Sequence, residues 1–260
     1  MFRSDITRAA AEQLARDLNC TADDFGEAKN TVTSAALNEG RRRFTEKPEF
    51  FRTATFGCGA VISTADTVRP FAENLALCDG LSLFDGKGIA MINAGIIPYG
   101  HFIGIISQFY LPLTPCRPLD RQGYRLEVVE EREIVSQLYP YYKDFHNALM
   151  YSSSGARHDM LAVCAVSGQI VLGMAGASND SDMFWQIGID ILPQFRGKGL
   201  GAILVSTLAN EVFRRGAVPY YGTWPGNIAS HKTAVKSGFR PAWTEMFSTP
   251  LPGSAPGDYE

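Results

Sequence analysis

The sequence contains no apolar run that approaches the length of a membrane-spanning helix, and its first residues lack the apolar core of a secretion signal. It also lacks a cysteine pattern, because the five cysteines are an odd number, widely spaced and without a Cys-x-x-Cys pair. Scattered buried thiols in a reducing compartment fit this usage better than a disulfide framework or a zinc site. We therefore expect a cytoplasmic protein without a metal.

Neither sign of charge is in marked excess. The chain has 24 Lys and Arg against 27 Asp and Glu, a formal net charge of -3, which argues against nucleic acid or an anionic membrane as a partner. The basic cluster Arg41–Arg43 lacks an aromatic or glycine-rich partner, and we expect it to be a solvated surface. With 45% hydrophobic residues, the 260-residue chain can bury the core of one large domain or two modest ones.

One segment carries most of the functional information, and it reads WQIGIDILPQFRGKGLGA from Trp185 to Ala202. An apolar-rich stretch, typical of a strand, ends at Pro193. A glycine-rich turn follows and opens directly into a helical pattern over residues 202–215. A helix that begins there points its free N–H groups and its positive dipole end at the turn. Glycines let such a backbone approach a ligand closely, so the pattern favours a phosphate or pyrophosphate.

Three kinds of phosphate-binding loop could explain this segment. A P-loop requires Ser or Thr after Gly-Lys, but Lys198 is followed by Gly199. A dinucleotide fingerprint fits the letters from Gly197 to Ala202. That fingerprint also needs an acidic residue about 20 positions further on, and the next predicted strand, residues 218–224, has no carboxylate. A nicotinamide-dependent oxidoreductase is therefore disfavoured. The third kind is Arg-x-x-Gly-x-Gly preceded by an aliphatic-x-Pro.

The third pattern is similar to the acyl-CoA-binding signature of the GNAT N-acetyltransferase superfamily. It is carried here by Ile191-Leu-Pro193 and by the run from Arg196 to Gly201. A second local signature, Asn227-Ile-Ala-Ser230 followed by Gly238-Phe239, resembles the second helix of the same family. The predicted order after residue 120 is strand, helix, three strands, helix, strand, helix, strand, which is the GNAT order. The resemblance covers about residues 120 to 250.

The resemblance implies an α/β fold for the C-terminal half, with a mixed, mostly antiparallel sheet flanked by helices. Three prolines within residues 111–118 indicate a domain boundary. We expect a smaller N-terminal α+β domain at residues 1–118, a GNAT domain at 119–250 and a flexible tail at 251–260. The N-terminal domain could be a degenerate second copy of the fold, a lid or an unrelated acceptor-recognition domain. Within it, residues 101–111 are predicted to form a buried strand pair or a strand plus a turn.

By resemblance, the backbone amides of the glycine-rich run hold the CoA pyrophosphate, the edge of the preceding strand pairs with the pantetheine arm, and two polar residues touch that arm from the other side. The implied cofactor-binding residues are Ile189, Asp190, Ile191, Arg196, Gly197, Lys198, Gly199, Leu200, Gly201, Asn227 and Ser230.

The catalytic groups are less regular than the binding loop. The family often has a carboxylate in the strand before the loop and a tyrosine seven residues after the asparagine. Here those positions hold Trp185 and Gln186, and Ala234. His231 is the first candidate for the missing acid, because an imidazole titrates near neutral pH and lies three residues from Ala234 on a helix. Tyr220, Tyr221 and Glu245 are further candidates, listed here because they are near in the predicted order.

These observations predict an N-acetyltransferase that transfers an acetyl group from acetyl-CoA to a primary amine by direct attack. The acceptor is expected to be a small molecule rather than a protein. The alternative is a catalytically weak acyl-CoA-binding sensor, in which the N-terminal domain responds to the bound ligand.

Overall fold

The computed structural model describes residues 3–112, 123–149 and 156–252. The chain divides into two compact units. The larger unit comprises Met1–Thr7, Arg42–Phe44 and Tyr110–Pro241, and the smaller unit comprises Arg8–Arg41, Thr45–Phe109 and Ala242–Glu260. Across the described ranges, no helix has both the length and the apolar character needed to cross a bilayer.

The first 112 residues contribute three helices and four strands. The helices are α1 (Arg3–Leu18), α2 (Arg69–Leu75) and α3 (Gly86–Ile96), and the strands are β1 (Thr31–Ser34), β2 (Phe51–Thr55), β3 (Val61–Thr64) and β4 (His101–Pro112). Strand β4 is a single strand of 12 residues, so the predicted strand pair at 101–111 is wrong. Its glycine at position 104 permits the close approach of Thr249 rather than a turn.

The rest of the chain alternates strands and helices in the predicted order. In sequence they are β5 (Arg125–Glu130), α4 (Glu131–Gln137), β6 (Asp159–Ser167), β7 (Ile170–Asn179), β8 (Phe184–Ile191), α5 (Leu200–Arg214), β9 (Val218–Thr223), α6 (Ile228–Lys236) and β10 (Phe239–Pro250).

In the smaller unit the strand order is β1-β3-β2-β10-β4. Strands β1 and β3 are parallel, whereas β2 is antiparallel to both β3 and β10. The core is formed by apolar side chains of the strands and of α2 and α3, including Phe51, Ile62, Leu75 and Ile92. These four are at most 3% exposed, so the unit has an apolar core of its own.

In the larger unit the strand order is β9-β8-β7-β6-β5, antiparallel throughout except for the parallel pair β8 and β9. Helix α5 covers one face of this sheet, where Leu204 and Leu208 pack against odd-numbered residues of β6 such as Val163. The even-numbered residues of β6, including Cys164, pack on the other face with α4 and Phe145. This alternation follows from the two-residue period of a strand. The predicted mixed, mostly antiparallel sheet flanked by helices is confirmed.

The predicted domain boundary and tail fall mostly outside the described residues, which omit 113–122 and 253–260. The two units are not consecutive segments, since residues 242–252 belong with most of the first 109 residues. Strands β4 and β10 each begin in one unit and end in the other. The division at residue 118 stays a prediction.

The prediction for the basic cluster is wrong at Arg42. Its side chain is 2% exposed, and its guanidinium lies 4.8 Å from the ring centre of Phe44 and 5.7 Å from that of Tyr220. An arginine can be buried in this way because its planar cation stacks on aromatic rings. The aromatic partner, Phe44, is only two residues away in the sequence. Arg43 remains partly exposed and forms an ion pair with Asp182.

The four cysteines within the described residues are free thiols. Only Cys164 is buried, and Cys58 is exposed, so the expectation of buried thiols is correct for one of them and wrong for another. Burial raises the pKa of Cys164 to about 12, with Glu127 acting in the same direction.

A pair of glycines lets a loop cross the sheet of the larger unit in direct contact with its backbone. Gly176 of β7 and Gly188 of β8 are opposite each other in the strand register. A Cβ atom on Gly176 would lie 1.8 Å from the carbonyl oxygen of Ala148, and one on Gly188 would lie 1.8 Å from that of Asn147. Residues 147–148 therefore need glycine at both positions beneath them.

We predict that Gly188→Ala lowers the free energy of unfolding by about 1–3 kcal/mol, because the loop must shift to accept the methyl group. Denaturant unfolding followed by circular dichroism measures this change. Gly201→Ala is the matched control, since its Cβ would meet Thr233 at an ordinary 3.4 Å. Equal stability of Gly188→Ala and the control would show that the loop does not depend on the glycine.

Candidate active site

The glycine-rich turn connects β8 to α5 in a conformation that requires glycine. Gly197 and Gly199 have φ angles of 78° and 82°, in the left-handed region that side chains disfavour. Gly199 is the N-cap of α5, and its carbonyl oxygen accepts from the N–H groups of Ala202 and Ile203 at 3.1 and 3.3 Å. The N–H groups before Ala202 thus stand at the free, positive end of the helix.

This turn borders a cavity of about 470 Å³, which we name the loop cavity. All of the cofactor-binding residues predicted from the sequence line it except Lys198. Its lining residues are Ile189, Asp190, Ile191, Phe195, Arg196, Gly197, Gly199, Leu200, Gly201, Ala202, Asn227, Ala229, Ser230, Lys232, Thr233 and Lys236. Lys198 instead lines a neighbouring cavity of about 520 Å³ with Phe195 and Leu200.

The loop cavity carries more positive than negative side chains. Arg196, Lys232 and Lys236 line it, together with one carboxylate, Asp190. The Arg196 Nε donates to the carbonyl oxygen of Ile191 at 2.8 Å, which fixes the side chain across the end of β8. Sequence reasoning missed the two lysines. Their four-residue spacing places them on one face of a helix, which is the signal that could have identified them.

The side chain of Asp190 is directed at the crossing loop. Its carboxylate accepts from the backbone N–H of Asn147 at 2.6 Å, from the Asn147 side-chain amide at 2.6 Å and from the N–H of Ala148 at 3.1 Å. Only its place on the strand, and not a free carboxylate, is therefore offered to a ligand in the loop cavity. Its function visible in the structure is to hold residues 147–148 on the sheet.

Asn227 and Ser230 stand at the start of α6. The side-chain oxygen of Asn227 caps the helix by accepting from the N–H of Ser230 at 3.2 Å. The Ser230 hydroxyl lies 3.0 Å from the Tyr221 hydroxyl. The two residues predicted to face the pantetheine arm are thus fixed by local hydrogen bonds.

A second cavity, of about 220 Å³, adjoins the first, and we name it the fork cavity. The two share Ile189, Asn227 and Ser230. It lies where the parallel pairing of β8 with β9 ends, at Ile187 and Tyr221. Beyond that point β8 stays paired with β7 as far as Ile191, so its other edge is open. The other lining residues are Asn147, Ala148, Asp159, Gly176, Ser178, Gln186, Ile187, Gly188, Tyr221, Gly222, Thr223 and Trp224.

Gln186 occupies a strand position where the resemblance leads one to expect a carboxylate. Its side-chain oxygen lies 3.3 Å from Arg157 Nη2 and 3.4 Å from the Tyr220 hydroxyl. Because arginine can only donate, the oxygen must face Arg157. The amide N–H₂ group of Gln186 is then a hydrogen-bond donor on a residue that lines the fork cavity.

The donors to Gln186 are themselves fixed by a buried carboxylate. Asp180 is fully buried and accepts from Arg157, Tyr220 and Ser178. Burial raises the pKa of this carboxyl, although Arg157 and the Tyr220 hydroxyl act in the opposite direction. The Tyr220 hydroxyl, one of the sequence-based candidates for proton transfer, is thus a buried structural donor.

His231 has both imidazole nitrogens occupied by protein groups. Its Nε2 lies 3.1 Å from the carbonyl oxygen of Pro225, which can only accept, so this nitrogen carries the proton. Its Nδ1 lies 2.5 Å from the Tyr110 hydroxyl and accepts from it. His231 is not among the residues that line the loop or fork cavity. Its catalytic role stays a prediction that this geometry does not favour.

The other sequence-based candidates divide clearly. Ala234 is fully buried in the core beside Phe239, so its position offers no polar group. Glu245 is fully buried in the smaller unit, where its carboxylate accepts from Arg52 and from the indole N–H of Trp243 at 2.6 Å. Tyr221 alone lines the fork cavity, and burial raises the pKa of its hydroxyl.

Within the described part of the chain, no three His, Cys, Asp or Glu side chains are grouped as metal ligands would be. The expected absence of a metal stays a prediction.

Comparison with known proteins places this region in a family. Residues 124–239 match the model of the Acetyltransferase (GNAT) family. Among curated proteins, none matches the chain.

Solved structures give matches of low sequence identity. An acetyltransferase of the GNAT family from Novosphingobium aromaticivorans matches at 19% identity and a TM-score of 0.43, over 58% of this chain and 68% of its own. A GCN5-related N-acetyltransferase from Kribbella flavida matches at 18% and 0.47, over 62% and 63%. A Drosophila protein matches at 11% and 0.45, over 95% and 89%.

The family match spans the glycine-rich turn, the α6 cap and every residue that lines the loop and fork cavities. Residues 124–239 therefore form a domain of the GNAT acetyltransferase family.

Proposed function

We propose that this protein is an N-acetyltransferase that transfers the acetyl group of acetyl-CoA to a primary amine of a small molecule. The observation that carries the proposal is the loop cavity itself. Ten of the eleven residues predicted to bind CoA line it, and it adjoins a smaller cavity at the open edge of β8. A cofactor in the first cavity could thus present a reactive end to an acceptor in the second.

The loop cavity suits the charged part of CoA. The N-terminus of α5 offers backbone N–H groups and a positive dipole end, which favour a pyrophosphate. Lys232 and Lys236 add two ammonium groups from α6. The open edge of β8 at residues 188–191 can pair with the amide groups of the pantetheine arm, in the manner of an added strand.

The proposed reaction is direct attack of the amine on the thioester. The amine nitrogen forms a bond to the carbonyl carbon, the carbon–sulfur bond breaks, and CoA leaves as a thiolate. The attacking nitrogen loses one proton to solvent, and the thiolate gains one. Because a thiol of this kind has a pKa near about 8.5, a donor to the sulfur assists the reaction without being essential.

Tyr221 is the proposed donor to the sulfur. Its hydroxyl lies in the fork cavity and is bonded to Ser230, which lines both cavities, so it stands where they meet. Since burial raises its pKa above the ordinary value, the phenol stays protonated at neutral pH and keeps a proton to donate.

The size of the fork cavity supports a small acceptor. About 220 Å³ accommodates the amine-bearing end of a small molecule but no folded surface. The alternative, a sensor that binds acyl-CoA without turnover, predicts tight CoA binding and no release of free thiol when amines are supplied.

We predict that Gly199→Ala weakens CoA binding by about tenfold or more, which corresponds to about 1.4 kcal/mol, because its methyl group enters the space that the phosphates need. Isothermal titration calorimetry measures the affinity. Gly216→Ala is the matched control, since both glycines have φ near +80° and open space around a built Cβ, but Gly216 lies at the other end of α5. Unchanged CoA affinity in a folded Gly199→Ala protein would remove the proposed site.

We predict that Tyr221→Phe lowers kcat by about tenfold to a hundredfold while CoA affinity changes little, because the thiolate loses its donor. Release of free CoA thiol in the presence of an amine measures turnover, and the exposed Tyr141→Phe serves as the control. His231→Ala is assayed alongside. Loss of turnover in His231→Ala with full turnover in Tyr221→Phe would assign the acid to the imidazole and refute the role of Tyr221.

A further inference from the structure

Asp159 brings a carboxylate into the wall of the fork cavity. It is the acidic residue among the described residues that line this cavity, and it is 4% exposed. Its Oδ2 accepts from the Tyr139 hydroxyl at 3.0 Å, which fixes one oxygen. A buried carboxylate that borders a small polar cavity favours a positively charged ligand group.

The strand register places this carboxylate well away from the open edge of β8. Asp159 of β6 is opposite Ser178 of β7, which is opposite Gln186 of β8. Neighbouring strands are about 4.8 Å apart, so Asp159 stands about 10 Å from the line of β8, measured across the sheet. A group bound at Asp159 is therefore not the group that reacts at the β8 edge.

We propose that Asp159 binds a second cationic group of the acceptor, separated from the amine that is acetylated. The acceptor class is a diamine or a larger molecule with two amino groups, one held as an ammonium ion at Asp159 and the other presented at the fork between β8 and β9. This rests on the proposed acetyl transfer. Asp159 is a specificity residue in this proposal and not the general base.

The chemistry supports this division of roles. A carboxylate close to an ammonium group stabilises its charged form, which cannot attack a carbonyl carbon. A nitrogen bound directly to Asp159 would thus be held in the unreactive state. The Gln186 side chain, located between Asp159 and the β8 edge, offers an uncharged amide and leaves the second nitrogen free to lose its proton.

The test compares 1,6-diaminohexane with n-hexylamine as acceptors of acetyl-CoA, using release of free thiol as the readout. We expect kcat/KM for the diamine to exceed that for the monoamine by about tenfold or more in the wild-type protein, from one charge-assisted contact. The shorter 1,3-diaminopropane should show little of this preference, because its second nitrogen does not reach Asp159.

Variants assign the preference to the carboxylate. Asp159→Asn should bring the ratio of diamine to monoamine kcat/KM close to one, mainly through KM, and the exposed Asp144→Asn should keep the wild-type ratio. Tyr139→Phe, which removes the anchor of Asp159, should lower the ratio in part, and it serves as the test if Asp159→Asn does not fold. CoA affinity measured by calorimetry reports whether each variant is intact.

The outcomes are distinct. Turnover of both amines with no preference in the wild type, or a preference that survives Asp159→Asn, overturns the inference while the acetyltransferase proposal stands. CoA binding without turnover of any amine overturns the proposed function, and the inference with it.

Discussion

The divergence of β8 from β9 after Ile187 is the constraint on which both cavities depend. Strand β8 cannot follow β9, because it stays paired with β7 to its last residue. Its other edge consequently carries backbone groups with no strand beside them, which is an arrangement that extended ligands can satisfy. The hydrogen bond between Tyr221 and Ser230 fixes α6 to β9 on the far side of the gap. The opening is thus set by strand pairing and is held by one side-chain contact.

Charge is distributed so that the loop cavity remains attractive to phosphate. The N-terminus of α5, Lys232 and Lys236 all contribute positive potential. The carboxylate of Asp190 would oppose them, but three N–H donors from residues 147–148 satisfy it. One carboxylate therefore anchors the loop that borders the fork cavity, and its bonds to that loop reduce its repulsion of an anion.

Local signals explain what could be predicted from the sequence. The glycines, the proline and the helical pattern around residues 185–202 act within a few residues, and they predicted the turn, the helix and most of the loop cavity. Lys232, Lys236 and Tyr221 were missed or ranked low, because their positions depend on the face that α6 and β9 present. Asp159 carries no local motif, and only the register of three strands places it near Gln186. His231 was ranked first by chemistry, but its two protein hydrogen bonds depend on the distant Tyr110 and on Pro225.

The alternation of side chains along β8 explains how one strand can support two sites. Its odd-numbered residues, including Trp185 and Ile187, pack into the core with α5, which fixes the strand and the helix that begins after the glycine-rich turn. Its even-numbered residues face the other side of the sheet. Gln186 joins the polar row with Ser178, Gly188 leaves room for the crossing loop, and Asp190 holds that loop. A one-residue slip of β8 would exchange these two sets and destroy both the core and the fork cavity. The register of β8 is therefore a functional constraint as much as a structural one.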